Sequence, residues 1–353
     1  MSSRKLRNGN KNIEMNGNRL KNTSKYLKRW VSSEDTGQNH SYLVLNTNTR
    51  FLAQQPVLSE LKFDLPKIPL FTQVENEPDN IRRKIIEEIE KKTDRTLILY
   101  YSNPQHPAGS LNYQDVTLIH ELLRILDYPE KIDLVIHSGG GIIEATEKLV
   151  KLVWSKVDSF RVIIMEFAKS AATSLSLASN QILMSFMAEL GPIDPLIQIG
   201  IDPQTKQPDF RPAWSYIHAL DILETELKEK NRDPRIVGQL LTVMDPIKLD
   251  IAKKAIDYSK TLAKEWLVNY MKIKKEDAEK ISEELCDAGK LLSHGRVISY
   301  EEARDLGLNV EKIDTDHELW PLLYHLHIRA LQVIRPPVIK LYECRSQTIR
   351  GHT

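Results

Sequence analysis

Apolar residues in this chain come in two patterns that alternate through its middle: short uninterrupted runs, and longer stretches in which they recur every third or fourth position. Leu97-Ile98-Leu99-Tyr100-Tyr101, Leu134-Val135-Ile136, Val162-Ile163-Ile164-Met165 and Ile182-Leu183-Met184 are runs of the first kind, closed by turn residues. Such runs suit strands buried on both faces, as in a parallel sheet. Between them, Ile81, Ile85, Ile86 and Ile89, then Leu118, Leu122 and Leu126, then Ile142, Ala145, Leu149 and Leu152 recur at helical spacing. On the last of these helices Glu144 with Lys148 and Glu147 with Lys151 pair opposite charges along the wet face. The alternation predicts repeated β-turn-α units, hence an α/β fold with right-handed crossovers. Its working site is expected beyond the carboxyl ends of the strands.

After Gly191-Pro192-Ile193-Asp194-Pro195, a turn stiffened by two prolines, the pattern from Pro212 onward is largely helical. Ile247, Ile251, Ala255, Tyr258, Leu262 and Trp266 form one apolar stripe. Ser293-His294-Gly295-Arg296 interrupts the helical run, and Ser299 with Glu302 predicts a capping box that opens a helix ending near Gly307. Residues 1–60, rich in Asn, Ser, Lys and Arg, read as a flexible basic lead and linker, residues 61–320 as the α/β domain, and 321–353 as a C-terminal tail.

Composition narrows the function classes. The 353 residues carry 49 Lys+Arg against 48 Asp+Glu, a net charge of +1, so no global pull toward nucleic acid or anionic membrane is expected. The most apolar window, Val162 to Ile197, is broken by Glu166, Lys169, Glu189 and Asp194, which argues against a membrane span. Cys286 and Cys344 are too few for a disulfide framework, and the N-terminus has no signal-peptide pattern, so a cytoplasmic location is expected.

Two segments carry the chemistry: His137-Ser138-Gly139-Gly140-Gly141 and Ala168-Lys169-Ser170-Ala171-Ala172, each at the junction of a strand and a helix. Backbone N–H groups at a helix start lack intrahelical partners and sit at the positive end of the dipole. Ser170 is therefore placed as a nucleophile, with the Ala171 N–H and the N–H groups of Gly140 and Gly141 as candidate oxyanion donors. A phosphate loop fails, since no Gly-Lys-Ser/Thr follows and Glu144 stands where the dinucleotide fingerprint needs its third glycine. The Gly-x-Ser-x-Gly elbow is also absent. A structural glycine turn and a helix-capping serine are the plain alternatives; their occurrence on successive strands favours a shared site.

Leu134 to Gly141, Ala168 to Thr173 and Gly191 to Pro195 together resemble the serine dehydrogenase proteinase family. That family is related to signal peptide peptidase A and the Clp protease proteolytic subunit within the Clp/crotonase-like superfamily. The likeness extends more weakly to Ile251-Ala252-Lys253-Lys254-Ala255-Ile256 and to Ser293-His294-Gly295. Gly139 replaces the usual proline of the glycine turn, and Ala171-Ala172 replace Gly-Gly after the serine. The resemblance implies a Clp/crotonase-like core of β-β-α and βαβ units with a helical C-terminal extension. It further implies a serine peptidase acting on peptide or protein substrates, a homo-oligomer, and neither metal nor organic cofactor. A serine needs a base. The Clp subunit's histidine has no counterpart at Met184-Ser185-Phe186, so Lys254, at the lysine of the family's Ala-Arg-Lys-Ala-Ile run, is the first candidate and His294 the second. Asp194 reads as a turn residue. Two other functions fit the same scaffold: a non-catalytic assembly or binding subunit, and acyl-CoA chemistry.

Overall fold

All four apolar runs form strands, and their order decides where the site lies. The computed structural model describes residues 63–67, 69–229 and 233–352, so the lead over residues 1–60 is outside the described residues. A short helix, α1 (Leu70–Gln73), precedes α2 (Asp79–Thr93). Then come β1 (Thr96–Ser102), α3 (Tyr113–Ile125), β2 (Lys131–Ser138), α4 (Ile143–Trp154), β3 (Ser159–Ala168), α5 (Ala171–Leu177) and β4 (Gln181–Ser185) in strict alternation. β5 (Glu189–Leu190) pairs with the end of β3, and β6 (Leu196–Ile201) with β7 (Pro208–Pro212) forms a separate hairpin.

A helical segment follows: α6 (Ala213–Lys228), α7 (Pro234–Leu241), α8 (Pro246–Asn269), α9 (Lys275–Cys286), α10 (Ala288–Leu291) and α11 (Tyr300–Asp305). The last of these opens with the capping box expected from Ser299 and Glu302. The chain closes with β8 (Val310–Ile313), α12 (Trp320–Val333), β9 (Val338–Glu343) and β10 (Thr348–His352). Among the described residues no helix is long and apolar enough to cross a membrane.

The main sheet runs β10-β9-β1-β2-β3-β4-β8; β1 to β4 and β8 are parallel, and β9 and β10 are antiparallel additions. Consecutive parallel strands in sequential order, joined by crossovers of one hand, put the helices between them on one face. Alternation along the strands confirms it. Ile98, Tyr100, Leu134, Ile136, Val162 and Ile164 join the core under α3, α4 and α5. Leu97, Leu99, Tyr101, Val135, Ile163 and Met165 join the core under α2 and α12.

The tail set apart at residues 321–353 is corrected by this arrangement. It supplies most of α12, which buries Leu322, Leu323 and Leu326, and β9 and β10, the two strands at one end of the sheet. Its sequence hid this role because β9 carries Lys340 and Glu343 at buried positions, which spoils an apolar run. Both charges are paired at long range, Lys340 with Asp115 at 2.8 Å and Glu343 with Arg82 at 2.7 Å.

Candidate active site

The turns after β2 and β3 lie side by side because the two strands are adjacent and parallel. The Lys169 N–H donates to Ser138 O at 3.0 Å, which lays the glycine turn along the serine segment. Gly140 has φ +94, and a Cβ there would fall 2.5 Å from Lys169 O and 2.8 Å from Ser170 Cβ, so only glycine fits. On its other side the turn is strapped to the loop before α3: the Leu111 N–H donates to Gly140 O and the Ile142 N–H to Leu111 O, both at 2.8 Å. A Cβ at Gly141 would lie 2.3 Å from Leu111 O, so this glycine serves the strap.

Ser170 has φ 52 and ψ −120, a positive φ for a residue with a Cβ. Such a conformation costs about 1–3 kcal/mol and persists only where its surroundings impose it. Its hydroxyl makes no capping hydrogen bond to α5, which removes the helix-cap explanation for a serine at this point. The neighbouring donors differ in availability. The Gly140 N–H is held by Ser138 Oγ at 3.2 Å. The Gly141 N–H, opposite in its trans peptide to the Gly140 carbonyl that faces Leu111, points away from the strap. The Ala171 N–H occupies the first position of α5, where no intrahelical acceptor exists.

Ser170, Ala171, Gly140, Gly141, Tyr258 and His294 line one cavity of about 690 Å3. His294 Nδ1 lies 2.8 Å from Asp194 Oδ1. Asp194 is fully buried and, among the described residues, its Oδ2 has no hydrogen-bond partner, an arrangement that calls for a specific role. The turn that carries it is tied down by Gly191 N–H to Thr173 Oγ1 at 3.0 Å and Ile193 N–H to Leu285 O at 2.9 Å. Lys169 reaches the other way: its Nζ meets Leu190 O at 3.0 Å, Arg296 O at 3.2 Å and Glu189 Oε1 at 3.0 Å, joining the serine segment to the loop of His294.

The structure gives Lys254 no place in the cleft. Ala255, Tyr258 and Ser259 of α8 line the cavity, whereas Lys254, about 100° away around the helix from Ala255, bonds Asp250 at 2.6 Å with its side chain 75% exposed. Asp194, taken from sequence as a turn residue, is in addition the partner of His294. The separation of 100 positions between them hid that pairing. A second titratable group, His137, Glu166 and His327, gathers on the opposite face of the sheet.

Two proteins of Methanocaldococcus jannaschii are similar to this chain. Uncharacterized protein MJ0137 is 30% identical over 242 residues, covering 65% of this chain and 73% of its own length. Uncharacterized protein MJ1495 is 26% identical over 200 residues, covering 57% of this chain and 59% of its own. The solved structure of a mutant of the 1510-N membrane-bound stomatin-specific protease aligns with a TM-score of 0.35 at 17% identity, covering 61% of this chain and 79% of that one. Residues 75–339 match the sequence model of the ClpP-like SDH-type serine proteinases. That match takes in the parallel strands with their crossover helices, the glycine turn, the strained serine and the Asp194 turn, and the chain belongs to the ClpP-like SDH-type serine proteinase family.

Proposed function

We propose that this protein hydrolyses peptide bonds through a Ser170–His294–Asp194 triad. The observation that carries the reading is that the hydrogen-bonded His294–Asp194 pair opens onto the same cavity as the strained Ser170. With Nδ1 directed at Asp194, the remaining ring nitrogen, Nε2, is the proton acceptor, and the buried carboxylate fixes its tautomer. Ser170 Oγ attacks the substrate carbonyl, and His294 takes the hydroxyl proton and passes it to the leaving amine. The acyl-enzyme is then cleaved by a water that His294 activates in turn. The Ala171 and Gly141 N–H groups are the donors best placed for the oxyanion, since Gly140 is already engaged by Ser138. Gly140 acts instead by letting the turn approach Ser170.

The test is covalent labelling with a fluorophosphonate probe, the adduct located by mass spectrometry. Wild type is expected to label at Ser170. His294→Ala and Asp194→Asn are expected to slow labelling by about 10⁴-fold, as removal of triad members does elsewhere. Lys254→Ala should label like wild type. The reverse outcome, with Lys254→Ala inert and His294→Ala active, would restore the lysine as base. Folded wild type that never labels would make the chain a non-catalytic subunit of this fold.

Peptide or protein substrates and a cytoplasmic setting complete the reading, the latter supported by two free, buried cysteines, Cys286 and Cys344. We also propose a homo-oligomer. Ile236, Leu240, Val243, Ile247 and Ile251 leave large apolar side chains exposed along α7 and the start of α8, as a face covered by a second copy would. Sedimentation at micromolar concentration should show a multimer, with Leu240→Lys and Ile247→Lys together shifting it toward monomer. A wild type that sediments only as monomer refutes the assembly.

A further inference from the structure

We propose that His137, Glu166 and His327 bind a divalent transition-metal ion of the zinc class, on the face of the sheet turned away from the serine cleft. The site is made by an irregularity in β3. Ile136 pairs with Ile164 and Ser138 with Ala168, so that three residues of β3, Met165, Glu166 and Phe167, stand opposite the single His137 of β2. Such bulges re-aim side chains. Here the bulge brings the Glu166 carboxylate to 3.3 Å from His137 Nδ1 and 3.7 Å from His327 Nε2, the latter supplied by α12. The three ligand atoms all lie within 4.8 Å of one another. Ligands at about 2.0–2.2 Å from a tetrahedral zinc are about 3.3–3.5 Å apart, so small side-chain rotations close the set.

Each ligand is held as a metal ligand requires. His137 is only 3% exposed, yet among the described residues its Nδ1, the atom aimed at the cluster, has no hydrogen-bond partner. Its ring is fixed between Tyr101, stacked at 5.1 Å, and Phe167, at 4.0 Å. The Tyr101 hydroxyl meets His327 Nδ1 at 2.8 Å and holds the ring with Nε2 facing Glu166; in the tautomer whose Nδ1–H donates to the phenol oxygen, Nε2 is the coordinating atom. Two imidazoles with one carboxylate favour zinc-class ions over magnesium or calcium. The Glu166 side chain is 43% exposed, which provides an entry path and room for a water as fourth ligand. The sequence implied no metal because the three ligands lie on β2, β3 and α12 with no spacing motif.

Full-length protein stripped with a chelator and titrated with Zn2+ should take up about one ion per chain with micromolar or tighter affinity, raise its thermal midpoint by several degrees, and ignore Mg2+. Glu166→Gln, at a half-exposed position where folding is not at stake, should weaken zinc at least tenfold. With Co2+ as probe, wild type should show the visible absorption of a four-coordinate site, and His327→Gln should lose it while keeping the native far-ultraviolet circular dichroism. Failure to hold zinc, or equal stoichiometry and affinity in wild type and Glu166→Gln, would overturn the proposal, the latter by showing that surface histidines bind the ion. Because the readouts are metal content and stability, they stand whether or not Ser170 is the nucleophile.

Discussion

Ser170→Gly is expected to abolish peptide hydrolysis while leaving the protein at least as stable as wild type. The two effects come from different atoms of the same residue. Removing Oγ removes the proposed attacking group, and loss of a triad nucleophile lowers kcat by about 10⁴–10⁶-fold. Removing Cβ relieves the positive φ of 52, a strain of about 1–3 kcal/mol, against about 0.5–1 kcal/mol for the extra freedom of glycine in the unfolded chain. The net change runs from neutral to about 2 kcal/mol in favour of the variant. Ser170→Ala makes the contrast. It loses the same activity but keeps Cβ and therefore the strain, and because the hydroxyl caps nothing, its stability should stay within about 0.5 kcal/mol of wild type. Casein hydrolysis and thermal unfolding of the three proteins read both quantities. A glycine variant less stable than the alanine variant would mean that the backbone at Ser170 is unstrained, and strain would no longer mark this serine as functional.

What the sequence made legible follows from range. The strands at Leu97, Leu134, Val162 and Ile182, their crossover helices, and the placing of Ser170 at a helix start all rest on local periodicity, and the sheet order then brings the two turns together. Partners that meet only in the folded chain were out of reach. His294 finds Asp194 from 100 positions along the chain, and His327 finds His137 only because α12 folds back over the sheet. Lys254 misled for a related reason: the family run around it gives its position on α8 but not which way that helix turns, and Ala255, one residue on, is the one that faces the cavity. The strand status of residues 338–343 was hidden by Lys340 and Glu343, whose burial makes sense only once Asp115 and Arg82 stand beside them.

The Asp115–Lys340 pair is where the second large effect is expected, and Asp115→Ala should cost about 3–5 kcal/mol of stability, the usual loss when one half of a buried ion pair is removed. Asp115 is fully buried, and Lys340 Nζ contacts both of its carboxylate oxygens at 2.8 Å. The Tyr342 and Tyr100 hydroxyls also donate to the carboxylate, as does the Asn112 N–H at 2.6 Å. Burial and the Asp115 charge push both phenols up, so they stay protonated donors at any physiological pH. Lys340→Met should cost less than Asp115→Ala, because the carboxylate keeps three donors whereas the stranded ammonium keeps, among the described residues, only the Ser110 carbonyl, at 2.8 Å. Asp115→Leu combined with Lys340→Met should recover most of the loss, since no charge is then left buried and unpaired. Urea denaturation of wild type, Asp115→Leu, Lys340→Met and the double variant gives the cycle, and an Asp115→Ala cost under about 1 kcal/mol would show that the cluster is not the fixed, dry network its geometry describes. The same network reaches the cleft. Ser110, whose carbonyl Lys340 holds, precedes the Leu111 that straps the glycine turn, so Lys340→Met should lower kcat without contact to substrate, and a folded Lys340→Met variant with wild-type kcat would confine the network to stability alone.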